Sequence, residues 1–276
     1  MRFATVQFIG EFGDIDASIR RAEGYIAQAA AEGAQAILLP EMWPDGFDLD
    51  HIDTIAEEID TSRVVAFLKE MAVKHDLYVF SGSFAEKYQG RYYNTMVAIN
   101  TKGGIDAVYR KIHLFDLAPN EPSVFTPGDE YKIVDTPFGK VGMMICYDIR
   151  FPEVALKLAM MGAQIIVDCA YWVARKEQWR TFSTSRAMEN GVFMVTCNNA
   201  GQGHWGDPYG NSMIVDPYGT VLSDPGEKPG VSIGEIDLSV YERYHTNLHM
   251  FRQRRAAVDN IDCDELLKDW KFRPTE

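Results

Sequence analysis

The sequence predicts an α/β fold, arranged as a four-layer α-β-β-α sandwich of two pseudo-symmetric halves. Three observations point there. Short apolar runs of strand length alternate with amphipathic stretches of helical period along the chain. The segment Gly33-Ala-Gln-Ala-Ile-Leu-Leu-Pro-Glu-Met-Trp43 recurs as Gly162-Ala-Gln-Ile-Ile-Val-Asp-Cys-Ala-Tyr-Trp172. A second match, Asn94-Thr-Met-Val97 with Asn211-Ser-Met-Ile214, follows in the same order. The period is too long for a solenoid. Two equivalent sheets, each with helices on one face, would stack their bare faces together. A single doubly wound sheet is the alternative, and it leaves the repeat unexplained.

The elements follow in order. Residues 3–8 read as a strand. Residues 16–32 read as a helix with Ile19, Ala22, Ile26 and Ala29 at helical spacing and Gly33 just past its end. Residues 35–39 are an apolar strand running into Pro40-Glu41. A helix over 62–75 carries Val64, Val65, Phe67, Leu68 and Met71. Strands follow at 77–81 and 94–100, the second closing on the turn Thr101-Lys-Gly-Gly104. Residues 112–131 read as a long loop. The scheme then resumes with a strand at 141–145, a helix at 151–161 and a strand at 164–168. A helix at 176–190 leads to strands at 192–197, 212–216 and 232–236.

Composition narrows the function classes. With 276 residues, 46% of them hydrophobic and 24% charged, the chain suits one globular domain over residues 1–276 with a substantial core. A net charge of −13 argues against a nucleic-acid partner, because phosphate binding needs a basic surface. It leaves room for an anionic small substrate held by a local cation. No apolar run approaches the length of a membrane span. The opening Met1-Arg-Phe-Ala-Thr-Val-Gln-Phe8 reads as a strand and not as a leader. Cys146, Cys169, Cys197 and Cys263 lie far apart without a CxxC pair, which fits free thiols in a reducing compartment. The expected location is cytoplasmic, with no metal and no cofactor.

Chemistry is concentrated where strands end. Cys146 closes the apolar run Val141-Gly-Met-Met-Ile145 and opens Cys146-Tyr-Asp-Ile-Arg-Phe-Pro-Glu153, which reads as the first turn of a helix. The thiolate is the nucleophilic form, and a helix N-terminus lowers a thiol pKa. Glu41 follows Ile37-Leu-Leu-Pro40, Lys111 follows Tyr109-Arg110, and Glu121 lies in the loop Pro119-Asn-Glu-Pro122. Taken singly, Glu41 reads as a cap, Lys111 as a surface lysine and Glu121 as a solvated charge. In open α/β architectures, however, the carboxyl ends of strands form the ligand crevice, so these side chains are expected to converge.

Leu38-Leu-Pro-Glu41-Met-Trp, Tyr109-Arg-Lys111-Ile-His-Leu-Phe and Ile145-Cys146-Tyr-Asp-Ile-Arg-Phe-Pro-Glu153 together make the chain resemble the nitrilase superfamily of carbon–nitrogen hydrolases. The likeness runs from Phe3 through Phe251-Arg-Gln-Arg-Arg255. It implies Glu41, Lys111 and Cys146 as the catalytic residues and Glu121 as a second glutamate, with neither metal nor cofactor. In that reading Cys146 attacks an amide carbon while Glu41 takes the thiol proton and later returns a proton to departing ammonia. Lys111 and the Tyr147 backbone N–H hold the oxyanion, and Glu121 orients Lys111 or the amide. The resemblance also implies a homodimer or higher homo-oligomer, with residues 245–276 as a tail at the interface.

Nitrile-hydrolysing members of the superfamily usually carry Cys-Trp-Glu, whereas this chain has Cys146-Tyr-Asp148, which favours amides. The tract Pro40-Glu-Met-Trp-Pro-Asp-Gly-Phe-Asp48 is similar to the omega-amidase branch, whose substrates have a carboxylate needing a cationic anchor. Arg175 and Lys176 are candidate anchors; Arg150 is another, read first as the structural partner of a nearby carboxylate. Trp43, Phe47, Tyr171 and Trp172 are candidate pocket walls. The loop between Lys111 and Glu121 is shorter than in many relatives of that branch, which leaves N-carbamoyl amino acids, aliphatic amides and deaminated glutathione open as substrates. A binding protein retaining the fold without turnover is the other class of reading.

Two further signals are weak. His245 and His249 have zinc-helix spacing, but Thr246 stands where a general-base glutamate belongs. Gly201-Gln-Gly-His-Trp-Gly206 lacks the Lys-Ser/Thr ending of a phosphate loop and reads as a surface or site-edge loop.

Overall fold

Two sheets pack face to face, with a helical layer outside each. The computed structural model describes residues 1–255. Its first half runs β1 (Arg2–Gln7), α1 (Ile15–Ala31), β2 (Ala36–Leu38), α2 (Ile52–Ile55), α3 (Arg63–His75), β3 (Tyr78–Phe80), β4 (Phe84–Tyr88), β5 (Arg91–Ile99) and β6 (Ile105–Arg110). The second runs β7 (Lys132–Thr136), β8 (Gly139–Ile145), α4 (Pro152–Met160), β9 (Ile165–Ala170), α5 (Lys176–Asn190), β10 (Phe193–Asn198), β11 (Met213–Val215) and β12 (Val221–Ser223). The chain then returns through β13 (Gly230–Glu235) and ends in α6 (Leu238–Asn247) and α7 (Met250–Gln253).

The strand order is β13-β1-β2-β3-β5-β4 in one sheet, with β6 also on β5, and β12-β11-β10-β9-β8-β7 in the other. The parallel centre β1-β2-β3 matches β8-β9-β10, and an antiparallel strand flanks each centre on both sides. Side chains alternate as a strand requires. In β2, Ala36 and Leu38 face the second sheet, while Ile37 packs in the cluster under α1 and α3. On the other side, α4 and α5 cover β8 to β11.

The internal repeat is a repeated set of hydrogen bonds. Gly33 and Gly162 end α1 and α4 in the left-handed region, where glycine bears no Cβ penalty. Two residues on, Gln35 donates its N–H to Arg2 O at 2.9 Å and accepts the Arg2 N–H on Oε1 at 3.0 Å. Gln164 does the same to Lys140, at 2.9 and 3.1 Å. Their carbonyls receive Tyr78 N and Phe193 N, the first residues of the next parallel strands, each at 3.0 Å. Each glutamine therefore ties the middle strand of its sheet to both neighbours.

The main helices begin and end close to expectation. Asp14 caps α1 by accepting from Ala17 N, and Ser62 caps α3 by accepting from Val65 N. Strands β4, β6, β7 and β12 fall outside the expected set. They lie at or near sheet margins and mix exposed with buried positions, which weakens the apolar signal. Part of the tail expected over 245–276 falls in α6 and α7; residues 256–276, including Cys263, lie outside the described residues.

One close approach links the fold to its strand ends. Gly82 has φ of 65°, and a Cβ on it would lie 2.0 Å from Pro40 O, the carbonyl just before Glu41. Gly82→Ala is expected to lower stability by more than about 1 kcal/mol, because it adds both strain and a backbone clash. Chemical denaturation of the variant beside the parent measures this.

Candidate active site

The carboxyl ends of strands from both sheets meet in one cleft. Glu41 lies three residues past β2, Lys111 directly follows β6, Cys146 directly follows β8, and Tyr171 directly follows β9. Glu121 opens a single 3-10 turn, Glu121–Ser123, inside the long loop. Glu41, Lys111 and Glu121 are each 1% exposed, and Cys146 is buried beside them. The four residues singled out from the sequence therefore stand together.

Lys111 is the centre of the cluster. Its Nζ donates to Glu41 Oε1 at 2.7 Å and to both Glu121 oxygens at 3.0 and 2.8 Å. Burial alone pulls the ammonium's pKa down, but Glu121, Glu41 and Cys146 outweigh it and hold the pKa well above the ordinary lysine value. Lys111 is thus a fixed cation. The Glu121 carboxyl is raised by burial and by Glu41, against the pull of Lys111. Phe115 N–H also donates to Glu121 Oε2, at 2.6 Å.

Asn94 and Tyr171 complete the wiring of Glu41. Asn94 Nδ2 donates to Glu41 Oε1 and Glu121 Oε1, both at 2.9 Å, and its carbonyl accepts the Lys111 N–H at 2.9 Å. Tyr171 N–H donates to Glu41 Oε2 at 2.8 Å. Asn94 appeared in the sequence only as part of the repeat, and its hub role had no signal there.

Cys146 differs from expectation in one respect. It begins a 3-10 turn, Cys146–Arg150, and α4 starts only at Pro152. The thiol pKa is not lowered. Burial, with the nearby Glu41 carboxylate, pushes it well above the usual thiol range, and Lys111 offsets this only in part. A five-residue turn carries too little aligned dipole to reverse that balance. The resting group is therefore a thiol beside the Glu41 carboxyl.

The turn itself is clamped. Asp148 accepts from Ile145 N at 3.0 Å, from Tyr109 Oη at 2.6 Å and from His113 N at 2.9 Å, with His113 Nδ1 also at 2.9 Å. Arg186 on α5 donates from Nε to Ile149 O at 2.9 Å. The Tyr147 N–H falls in the first turn, where helical geometry supplies no internal acceptor.

The space in and above the cleft over the cluster amounts to about 540 Å³, open solvent at its mouth included. Lys111, Glu121, Cys146, Tyr147, Tyr171 and Trp172 all line it, as does Phe47. Trp205, from the glycine-rich loop, lines it too, and its Nε1 donates to Phe47 O at 2.9 Å. Trp43 does not reach the cleft: it is fully buried, with Nε1 on Ser81 O at 2.8 Å and its ring against Phe8.

The cationic anchors are also reassigned. Arg175 is exposed at the start of α5 and Lys176 pairs with Glu227 at 2.5 Å, so neither lines the cleft. Arg150 does line it, and no carboxylate pairs with it among the described residues. Its guanidinium lies 4.4 Å from the Trp172 ring centre and 5.7 Å from that of Tyr147, with Gln178 Oε1 at 3.4 Å. The physical reason is the turn: ending β8 in a 3-10 turn swings Arg150 back over the aromatic wall. His245 bonds Gly191 O at 2.9 Å and His249 bonds Thr246 O at 3.0 Å, so the two do not converge on a common point.

With this geometry in hand, the family is plain. The chain belongs to the carbon–nitrogen hydrolase family, whose model matches residues 2–246. It is 34% identical over 254 residues to a 2-oxoglutaramate amidase of Bacillus subtilis, covering 92% of this chain and 97% of that one. It is 32% identical over 254 residues to the omega-amidase NIT2 of Homo sapiens, covering 89% and 92%. The structure matches Nit3 of Saccharomyces cerevisiae, a member of branch 10 of the nitrilase superfamily. The TM-score is 0.85 at 29% identity, over 92% of this chain and 96% of that one. This is a hydrolase of carbon–nitrogen bonds other than peptide bonds, built on the nitrilase-superfamily fold.

The loop that carries Phe47 contains a second buried carboxyl. Asp45 accepts from Phe47 N at 2.8 Å and Asp48 N at 3.3 Å, while Asp48 pairs with His51 at 2.8 Å. Burial pushes the Asp45 pKa from 3.8 up to about 7; the two N–H groups oppose this and Asp48 adds to it. The folded chain thus binds this proton more tightly than the unfolded chain. The resulting stability is present at pH below 3.8 and is lost as pH rises through about 7. Asp45→Asn keeps the acceptor oxygen without the charge. It is expected to melt above the parent at pH beyond about 7 and to converge with it toward pH 3.8, as followed by thermal denaturation across pH.

Proposed function

We propose that the chain is a thiol amidase that hydrolyses the terminal amide of a small dicarboxylic acid ω-amide to the acid and ammonia. The observation that carries the reading is the convergence of Cys146, Glu41, Lys111 and Glu121 in a cleft whose remaining cation is Arg150. The names of the relatives, omega-amidase and 2-oxoglutaramate amidase, support the same substrate class.

The steps follow from the wiring. Because the thiol is held protonated, its activation coincides with attack: Sγ bonds to the amide carbon as the thiol proton moves to Glu41. Lys111 satisfies Glu121 with two contacts to one carboxylate, so one N–H can turn to the developing oxyanion, joined by Tyr147 N–H. The C–N bond breaks as Glu41 protonates the nitrogen, releasing ammonia and leaving a thioester on Cys146. Water then adds to the thioester carbon while Glu41 takes its proton. The C–S bond breaks and the thiol regains that proton. Glu121 and Asn94 keep Lys111 and Glu41 aligned throughout.

The far end of the substrate meets Arg150. The guanidinium lies against the Trp172 ring and no carboxylate pairs with it among the described residues, so it suits a substrate carboxylate. The chain's net charge of −13 makes this local cation the more necessary for an anionic substrate.

Ammonia release from ω-amides of dicarboxylic acids, neutral amides of equal length, carbamoyl amino acids and nitriles tests the reading. The carboxylated ω-amides are expected to turn over best, and Cys146→Ala is expected to abolish turnover. Equal turnover of the neutral amides would remove the anchor from the argument. Carbon dioxide appearing with ammonia from carbamoyl substrates would favour a carbamoyl hydrolase instead. Arg150→Gln is expected to raise KM for the ω-amide by roughly 30-fold, the equivalent of about 2 kcal/mol for a charge-assisted pair, and to leave neutral amides unaffected. Lys111→Met should lower kcat by about 100- to 1,000-fold, as loss of an oxyanion donor does.

A further inference from the structure

Asp168 is a buried acid that the reaction above does not use. It interrupts the apolar run of β9, where its counterpart in the repeat, Leu39, is a core residue under the first helical layer. It is fully buried, and its Oδ1 accepts the backbone N–H of Cys146 at 2.6 Å. Oδ2 is buried and has no hydrogen-bond partner among the described residues. The contrast with Asp148 is sharp: donors from Ile145, Tyr109 and His113 converge there, whereas among the described residues the Cys146 N–H alone reaches Asp168.

That single bond lies at a strained point. Cys146 has φ of 50°, in the left-handed region, where a residue with a Cβ costs roughly 1 kcal/mol or more. The parallel pairing of β8 with β9 stops at Ile145 opposite Cys169. One residue later the backbone turns, and its N–H would be orphaned in an apolar interior without the Asp168 oxygen. The turn brings the thiol against Glu41 in place of letting the strand continue.

We propose that Asp168 is a positioning residue: its bond to the Cys146 N–H holds the nucleophile's backbone in the left-handed turn that presents the thiol to Glu41. It does this as a neutral acid. An anionic oxygen at the buried, unpaired Oδ2, in a carboxyl that also feels Asp148 and Glu41, would lack the compensation a buried charge requires. Burial, Asp148 and Glu41 push its pKa well above the carboxylate range, against the Cys146 N–H and Lys111. A neutral group here also spares the anionic oxyanion a repulsive neighbour.

This inference rests on Cys146 being the nucleophile. The test therefore pairs turnover with a readout that needs no amide: the pH profile of Cys146 alkylation by iodoacetamide, located by mass spectrometry. Asp168→Asn retains an acceptor oxygen without charge. It is expected to keep kcat within about 3-fold of the parent and to give a superimposable alkylation profile. Asp168→Ala is expected to lower kcat on the order of 10- to 100-fold, with KM within about 2-fold, because the thiol is misaligned and the cleft intact. If Asp168→Ala shows no cooperative melt, Asp168→Ser, whose oxygen is too short to reach, carries the same expectation.

Unchanged kcat in Asp168→Ala or Asp168→Ser would overturn the positioning role. So would an Asp168→Asn variant as impaired as Asp168→Ala. An alkylation profile moved to lower pH in Asp168→Asn would overturn the neutral form, since it would mean that a negative charge had been removed. Were Cys146 not the nucleophile, Cys146→Ala would retain turnover whatever Asp168 did, so the two readings fail separately.

Discussion

A lysine ammonium buried between two glutamates constrains everything around it. Removing one charge from water costs several kcal/mol even after relaxation, and three are removed here. The cluster persists only because every charge finds donors or acceptors in good geometry: Lys111 spans both carboxylates, Asn94 bridges them, and backbone N–H groups of Tyr171 and Phe115 reach one glutamate each. These partners come from four separate segments of both halves. The site can therefore exist only when the two sheets are stacked in register, which couples the chemistry to the whole sandwich.

The repeated architecture supplies that register. Gln35 and Gln164 make the same bonds in the two halves, each locking a central strand to both neighbours just upstream of the site. From these equivalent strands the halves diverge. The first delivers the carboxylate of Glu41; the second delivers the backbone N–H of Tyr171 to receive it. The repeated fold thus carries an asymmetric set of side chains, with Glu41 beyond one sheet and Cys146 beyond the other. Asn199 spans the seam as well, donating from Nδ2 to Glu41 O at 2.8 Å and to Ala170 O at 3.0 Å.

The electrostatics assign different tasks to different groups. Lys111 stays charged because its carboxylate neighbours outweigh its burial, which suits it to the donor role in the proposed reaction. The thiol stays protonated because burial and Glu41 outweigh Lys111, which is why the proposed reaction gives it a base. A helix-terminus thiolate, the expectation from Cys146 and the polar run after it, does not arise. The backbone leaves β8 through a short strained turn, and the aligned peptides of α4 begin only past Phe151.

Local pattern and the internal repeat made the layer order and the main helices legible, while strand-end position together with the resemblance to family motifs singled out Glu41, Lys111, Glu121 and Cys146. Periodicity reports burial directly, and strand ends of an α/β fold share one rim. Tertiary structure alone decided which aromatic and cationic side chains face the cleft. Trp43 and Phe47 lie four residues apart in one loop, yet left-handed residues at Met42, Gly46 and Phe47 turn the first into the core and the second into the cleft. Arg150 rather than Arg175 lines the pocket for the same reason, the 3-10 turn after Cys146. Asn94 and Asp168 were silent because their partners lie far off in sequence, on segments that only the stacked sheets bring within hydrogen-bond reach.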